Sequence, residues 1–235
     1  MDIQEIIAQI RPLDQDARQA ARTRQSDLTK PPGSLGRLEE LSILVAGITA
    51  NPQPRLVHKV VLIMAGDHGV VAKEVSAYPQ AVTAQMVANF LHGGAAINGL
   101  ARHVGARVVV VDMGIGNTTP SAAIAAAVTG QVVEEIAGRG TGVDESGLRR
   151  KIEAIIAVCL APTAREYLIA AYTSLERGHH LMMDWLGVRP LLNLQMRLGE
   201  GTGAALAMSL IEAACKTLSE MATFSEAGVS ERDAA

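Results

Sequence analysis

Apolar residues recur at helical spacing at the start of the chain, through Ile3, Ile6, Ile7 and Ile10. The pattern breaks at Pro12, and a second helical stretch is predicted from Asp14. Residues 29–37 (Thr-Lys-Pro-Pro-Gly-Ser-Leu-Gly-Arg) read as a rigid, turn-rich loop. The next helix is predicted to begin at Ser34 or Gly36, with Leu38, Leu41, Leu44, Val45 and Ile48 as its apolar stripe. The period then changes. Residues 57–65 (Val-His-Lys-Val-Val-Leu-Ile-Met-Ala) are almost continuously apolar, as expected of a parallel strand buried on both faces, and they end in Gly66-Asp67-His68-Gly69-Val70. Helices are predicted over 79–93 and on to His103. A second buried strand over 106–111 ends at Asp112-Met113-Gly114. Residues 155–224 are predicted to be mostly helical, broken at Gly178, at Gly187-Val188-Arg189-Pro190 and at a glycine loop near residue 200.

Strand, glycine turn, helix, strand is the order of a parallel α/β sheet. Ligands of such sheets collect beyond the carboxyl ends of the strands, and residues 66–70 and 112–119 both fall there. The expected organisation is a helical part over 1–50, an α/β core with a helical C-terminal part over 51–224, and a polar tail over 225–235 that frays. At 235 residues, 49% hydrophobic and 19% charged, the chain can bury a sizeable core. The aromatic content of 3% argues against platforms for stacking nucleic-acid bases. A net charge of −3 and a pI near 6.1 give no electrostatic case for nucleic-acid or anionic-membrane partners. Residues 1–24 lack the apolar core of a signal peptide, and no apolar run has the length of a membrane span, so the expected location is the cytoplasm. Cys159 and Cys215 lie in apolar helical runs and are expected to be reduced core residues.

The most informative stretch for chemistry is Arg197-Leu198-Gly199-Glu200-Gly201-Thr202-Gly203, followed by an alanine-rich helix. Glu200 stands between two glycines at a helix mouth, where the backbone can approach a ligand closely and an acid can face it. Such a carboxylate is a candidate general base; the same residues also fit a glycine-rich helix start with a solvated acid. Gly114-Ile115-Gly116-Asn117-Thr118-Thr119 follows a strand but lacks the third glycine of a dinucleotide fingerprint, which excludes a nicotinamide cofactor. Gly138-Arg139-Gly140-Thr141-Gly142-Val143-Asp144, with Lys151 beyond it, fits either an amide nest with cations for one phosphate or an ordinary loop capped by Asp144. Asp67 and His68 fit a strand-end turn as well as a ligand role, and His179-His180 read as a surface pair flanking a helix. No His, Cys, Asp or Glu spacing makes a metal site.

Taken in order, KPPGSLGRLE (Lys30–Glu39), AGDHGV (Ala65–Val70), VSAYPQAVTAQMVANFLHGGAAIN (Val75–Asn98), MGIGNTTPSAA (Met113–Ala123), GRGTGVD (Gly138–Asp144) and RLGEGTGAALAM (Arg197–Met208) resemble the nicotinate-nucleotide–dimethylbenzimidazole phosphoribosyltransferase family. The resemblance implies a Rossmann-like parallel sheet flanked by helices, with a small helical subdomain built from N- and C-terminal segments. It also implies a homodimer without metal or redox cofactor. Its substrates would be nicotinate mononucleotide and dimethylbenzimidazole, and its product α-ribazole 5′-phosphate for the cobalamin nucleotide loop. By position, Glu200 matches the general base. Ser76, Tyr78, Gln85 and Met86 match the wall of the benzimidazole site. Met113, Gly114, Asn117 and Thr118 match the loop between the two substrates. Arg139, Gly140, Gly142 and Lys151 match the phosphate side, and Arg197 lies beside the base.

The chain also departs from the family pattern. Residues 106–112 run straight into MGIGNTT, where family members have a further helix and strand, and a second abrupt join lies near 154–156. At the first join Asp112 takes the place of an active-site glutamate, one methylene shorter. Loss of sheet strands is expected to expose apolar faces of the remaining ones. Two further readings share these motifs: a remnant that binds an azole or nucleotide without turnover, and an inactive, internally deleted family member.

Overall fold

The computed structural model describes residues 5, 7–63, 78–110, 162–175, 177–196 and 201–230. The chain divides into two compact units, one of residues 1–10 and 59–207, the other of residues 11–58 and 208–235.

The second unit is helical. Its first helix, α1 (Gln15–Asp27), starts where Asp14 accepts a 2.7 Å hydrogen bond from the Ala17 backbone N–H, which satisfies one of the orphan donors of the first turn. The next, α2 (Arg37–Thr49), starts after Gly36, and Leu41 and Val45 of its expected stripe are buried. Ala21 of α1 and Ala46 of α2 form a core cluster with Leu218, against which Ile43 packs. Two alanines at this contact keep side-chain bulk out of the way and let the α1 and α2 backbones approach closely. Arg24 donates to the carbonyls of Leu218 (2.7 Å) and Met221 (3.2 Å), which takes up open acceptors at a helix C-terminus and sets a cation at its negative end. Residues 224–227 form a short helix (Phe224–Ala227) with a reciprocal capping box. Thr223 N–H donates to Glu226 (2.8 Å) and Glu226 N–H to the Thr223 hydroxyl (3.2 Å).

The other unit holds the sheet. Strands β1 (Lys59–Ile63) and β2 (Ala106–Val110) pair in parallel with Val61 opposite Val108. A parallel pair requires a crossover, here made by α3 (Val82–Leu91) and α4 (Ala96–His103), both of which pack against β2. Asn98 ties the two helices together. Its Nδ2 donates to Phe90 O (3.0 Å), and its Oδ1 accepts from Ala95 N–H (3.2 Å), so a buried amide is satisfied from both ends. This is the expected α/β architecture.

One expectation is corrected. Burial along β1 alternates: Val61 and Ile63 are buried, whereas Val60 and Leu62 are 45% and 48% exposed. Successive side chains point to opposite faces, so an apolar run of this kind is buried on both only where both faces are covered. Val109 of β2 is also exposed. The described residues of 155–224 are mostly helical, as expected, with two non-helical segments among them. Residues 168–175, before helix α5 (Arg177–Leu186) and after the 3₁₀ turn Pro162–Tyr167, and residues 187–196 after α5 are non-helical, each with an extended stretch. The two extended segments pair side by side through Leu191 N–H to Ala170 O (2.9 Å), Leu192 N–H to Ala171 O (3.0 Å) and Thr173 N–H to Leu192 O (2.8 Å). Backbone pairing with a distant segment is invisible to helical periodicity. Helix α6 (Thr202–Glu220) follows, its first six residues in this unit and the rest in the helical one.

Candidate functional site

The best-placed candidate feature is the start of α6. Gly201 has φ +77°, a left-handed conformation that glycine adopts without the Cβ penalty of other residues, and the chain enters the helix at Thr202 directly after it. Ala205 N–H to Gly201 O (2.9 Å) closes the first helical turn. Gly201, Thr202 and Gly203 are all buried. A Cβ built on Gly203 would overlap ring carbons Cδ1 and Cγ of Tyr172, so no other residue fits there without displacing that ring. A buried, tightly backed helix start thus follows Glu200, with the positive end of its dipole toward the loop.

Of the predicted site residues, three lie among those described. Tyr78 precedes α3 and is exposed, Gln85 lies on the exposed side of α3, and Met86 beside it is half-buried. Glu200, Asp112, Ser76, Met113, Gly114, Asn117, Thr118, Arg139, Gly140, Gly142, Lys151 and Arg197 lie outside the described residues. Asp67 and His68 lie outside them as well. Among the described residues, no group of three or more His, Cys, Asp or Glu could hold a metal ion, and no helix is long and apolar enough to cross a membrane.

The histidine pair is not as expected. His180 is exposed, but His179 is 1% exposed, inside α5. Its Nδ1 accepts the backbone N–H of Ser174, and its ring centroid lies 5.7 Å from that of Tyr172 at a 50° tilt. A backbone donor allows the imidazole to be buried, a partner that composition and spacing do not reveal. Accepting at Nδ1 also requires that this nitrogen carry no proton.

The KPPGSLGRLE motif has a local structural reason. Lys30 is buried and donates from Nζ to Glu39 Oε1 (2.8 Å) and to Gln25 O (3.1 Å), and Glu39 Oε1 also accepts from Leu35 N–H (3.0 Å). One carboxylate therefore holds both ends of the loop. Burial raises the Glu39 pKa, but the hydrogen bond from Lys30, the backbone N–H of Leu35 and the Lys30 charge outweigh it, and the carboxyl sits below its ordinary value. This clamp was not singled out in the sequence, although a Lys and a Glu bracketing a proline-glycine turn are its visible sign. Cys215 is buried, as expected, and burial first, then the Glu212 charge, push its thiol up to about 11. Cys159 lies outside the described residues.

Comparison with known proteins places these features. The phosphoribosyltransferase family model DBI_PRT matches residues 10–114, 112–157 and 153–229. The three segments meet at 112–114 and 153–157, at the two joins expected from the motif order. The chain is 42% identical to the nicotinate-nucleotide–dimethylbenzimidazole phosphoribosyltransferase of Chloroflexus aurantiacus, over 98% of this chain and 99% of that protein. It is 42% identical to the enzyme of the same name from Roseiflexus sp., over 97% and 98%. Both alignments run well beyond the number of residues in this chain (347 and 345 positions against 235), so the relatives carry blocks that are missing here. Among solved structures, CobT from Thermus thermophilus superposes with a TM-score of 0.84 at 34% identity, covering 92% of this chain and all of that one.

Proposed function

Because this chain belongs to the phosphoribosyltransferase family described by the DBI_PRT model, we propose that it moves the 5-phosphoribosyl group of nicotinate mononucleotide to 5,6-dimethylbenzimidazole. The products are α-ribazole 5′-phosphate and nicotinate. One observation carries this reading: the family model accounts for residues 10–229 in three consecutive segments, and its only interruptions are the two joins. The relatives' names supply the two substrates.

The reaction sets the demands on the residues. A benzimidazole nitrogen attacks C1′, the C1′–N bond to nicotinate breaks, and the carbon inverts. The leaving group is already a cationic pyridinium, so its departure needs little acid help. The attacking azole becomes positive as its bond forms, and its other N–H must lose a proton. Glu200, ahead of the buried start of α6, accepts that proton, a role worth roughly 10²–10⁴-fold. Tyr78, Gln85 and Met86, with Ser76, wall the azole. Tyr78 and Gln85 are exposed, as residues that line an open cleft should be. Met113, Gly114, Asn117 and Thr118 lie between the substrates, with Asp112 in the place of the second acid. Arg139, Gly140, Gly142 and Lys151 hold the phosphate, whose binding energy orients C1′. The protein acts as a homodimer in the cytoplasm.

The test is incubation of the purified chain with nicotinate mononucleotide and dimethylbenzimidazole, followed by chromatography. Formation of α-ribazole 5′-phosphate supports the reading. Its absence from a folded preparation overturns it.

A further inference from the structure

We propose that Asn98 is a positioning residue that sets where α3 presents Gln85 and Met86 to the azole; this rests on the reading of those two side chains as part of the azole wall. Asn98 is buried in the first turn of α4, yet its amide reaches into α3. Nδ2 donates to Phe90 O (3.0 Å) in the last turn of α3, and Oδ1 accepts from the N–H of Ala95 (3.2 Å), the residue before α4. A carbonyl on one side and an N–H on the other leave the amide a single orientation. One half of the side chain therefore caps its own helix, and the other half grips the neighbouring one.

The grip acts on the face that carries Met86. Positions four apart share a helix face, so Met86 lies one turn ahead of Phe90, about 6 Å along the axis. Thr83 and Phe90 are buried on either side of it, Met86 between them is half-buried, and Gln85 next to it is exposed. The end of α3 is also closed from within the turn: Phe90 O takes the Gly93 N–H (3.2 Å), and Asn89 O takes the Gly94 N–H (3.0 Å). Gly93 makes that turn at φ +79°, a conformation suited to glycine. Asn98 adds the bond that comes from α4. Without it α3 can roll on β2, against which both helices pack, and a roll displaces Gln85 and Met86 sideways. The phosphate is assigned to other segments, so the displacement falls on the azole and not on the mononucleotide.

The test reads the azole directly. In Asn98→Ala, the calorimetric Kd and the KM for dimethylbenzimidazole should both rise roughly fivefold, with KM for nicotinate mononucleotide within about twofold. The preference in kcat/KM for dimethylbenzimidazole over unsubstituted benzimidazole should fall several-fold, because the methyl groups are read by the placement of the wall. Asn98→Asp keeps the acceptor for Ala95 N–H but loses the donor to Phe90 O, and it should behave like the Ala variant. If neither variant folds, Gly93→Ala, which strains the same corner, should show the same azole-selective pattern. Equal changes for both substrates, an unchanged azole preference, or full rescue by the Asp variant would reduce Asn98 to a cap of α4 and overturn the positioning role. A wild-type chain that binds no azole overturns the wall assignment and this proposal with it. Should the wild type bind the azole and the variants bind it more weakly while no phosphoribosyl group is transferred, the hold on the wall stands and the transferase reading fails.

Discussion

The helical unit and the α/β unit differ in how completely their sequence determines them. In the helical unit each local device agrees with the next: Asp14 caps α1, Arg24 caps the far end of α6, Thr223 and Glu226 cap each other, and Lys30 with Glu39 closes the loop between α1 and α2. The family model crosses residues 10–58 without interruption. Both of its breaks, at 112–114 and 153–157, fall in the α/β unit, and so do the candidate site residues. The exposed Val60, Leu62 and Val109 lie there too. A unit whose contacts are local can be retained whole, whereas a sheet is a shared structure, in which removing a strand uncovers its neighbours. The comparison teaches that shortening has fallen on the unit that contains the candidate site residues.

The largest expected effect probes that chemistry. Glu200→Gln should leave folding and substrate binding intact and lower turnover by roughly 10²–10⁴-fold. A near-wild-type rate in a steady-state assay would remove Glu200 from the mechanism. The matching probe of the helical unit is Lys30→Met, which strands the Glu39 carboxylate. Loss of one partner of this part-buried pair should cost on the order of 1 kcal/mol, read as a shift in the denaturation midpoint. An unchanged midpoint would mean that the clamp is not what holds the 30–39 loop.

The joins are sharpened by Asp112→Glu. If the first join leaves the carboxylate about 1 Å short, the longer side chain should raise turnover by up to about tenfold. A slower variant would show that the register at the join is not the family's. Lys151→Ala should raise KM for nicotinate mononucleotide several-fold more than KM for the azole, because an ammonium near the glycine loop addresses the phosphate. Equal changes in both constants would exclude that role.

The smallest expected effect is on acid stability. The Glu39 carboxyl titrates below its ordinary value of 4.5 in the folded chain. It binds its proton less readily when folded than when unfolded, so its contribution is fully present above 4.5 and is lost as pH falls through the lowered folded value. Thermal unfolding followed downward from about pH 5 should therefore lose stability in the wild type, and Glu39→Gln should be flatter over that range. Parallel curves would contradict the assignment.

Much of the helical unit was legible in advance, because helical period and turn residues are local signals. The stripe Leu38, Leu41, Leu44, Val45 and Ile48 marks the α2 helix (Arg37–Thr49), and Asp14 sits where α1 begins. In the α/β unit the strands were legible as apolar runs, but the exposure of Val60 and Leu62 was not visible in the run itself, since coverage depends on what packs above it. The extended pairing of residues 170–173 with 191–192 and the burial of His179 escaped for the same reason: each depends on a backbone partner elsewhere. For the site, motif order nominated the residues and marked the two joins, whereas the packing of Tyr172 against Gly203 carried no motif.

The shortened chain is proposed to transfer the phosphoribosyl group to the azole rather than to water. The most direct measurement is the ratio of α-ribazole 5′-phosphate formed to nicotinate released as the purified chain turns over. The account expects one azole ribosylated for each nicotinate released throughout the time course. Release of nicotinate with ribose 5-phosphate in place of α-ribazole phosphate, or no release at all, would contradict it.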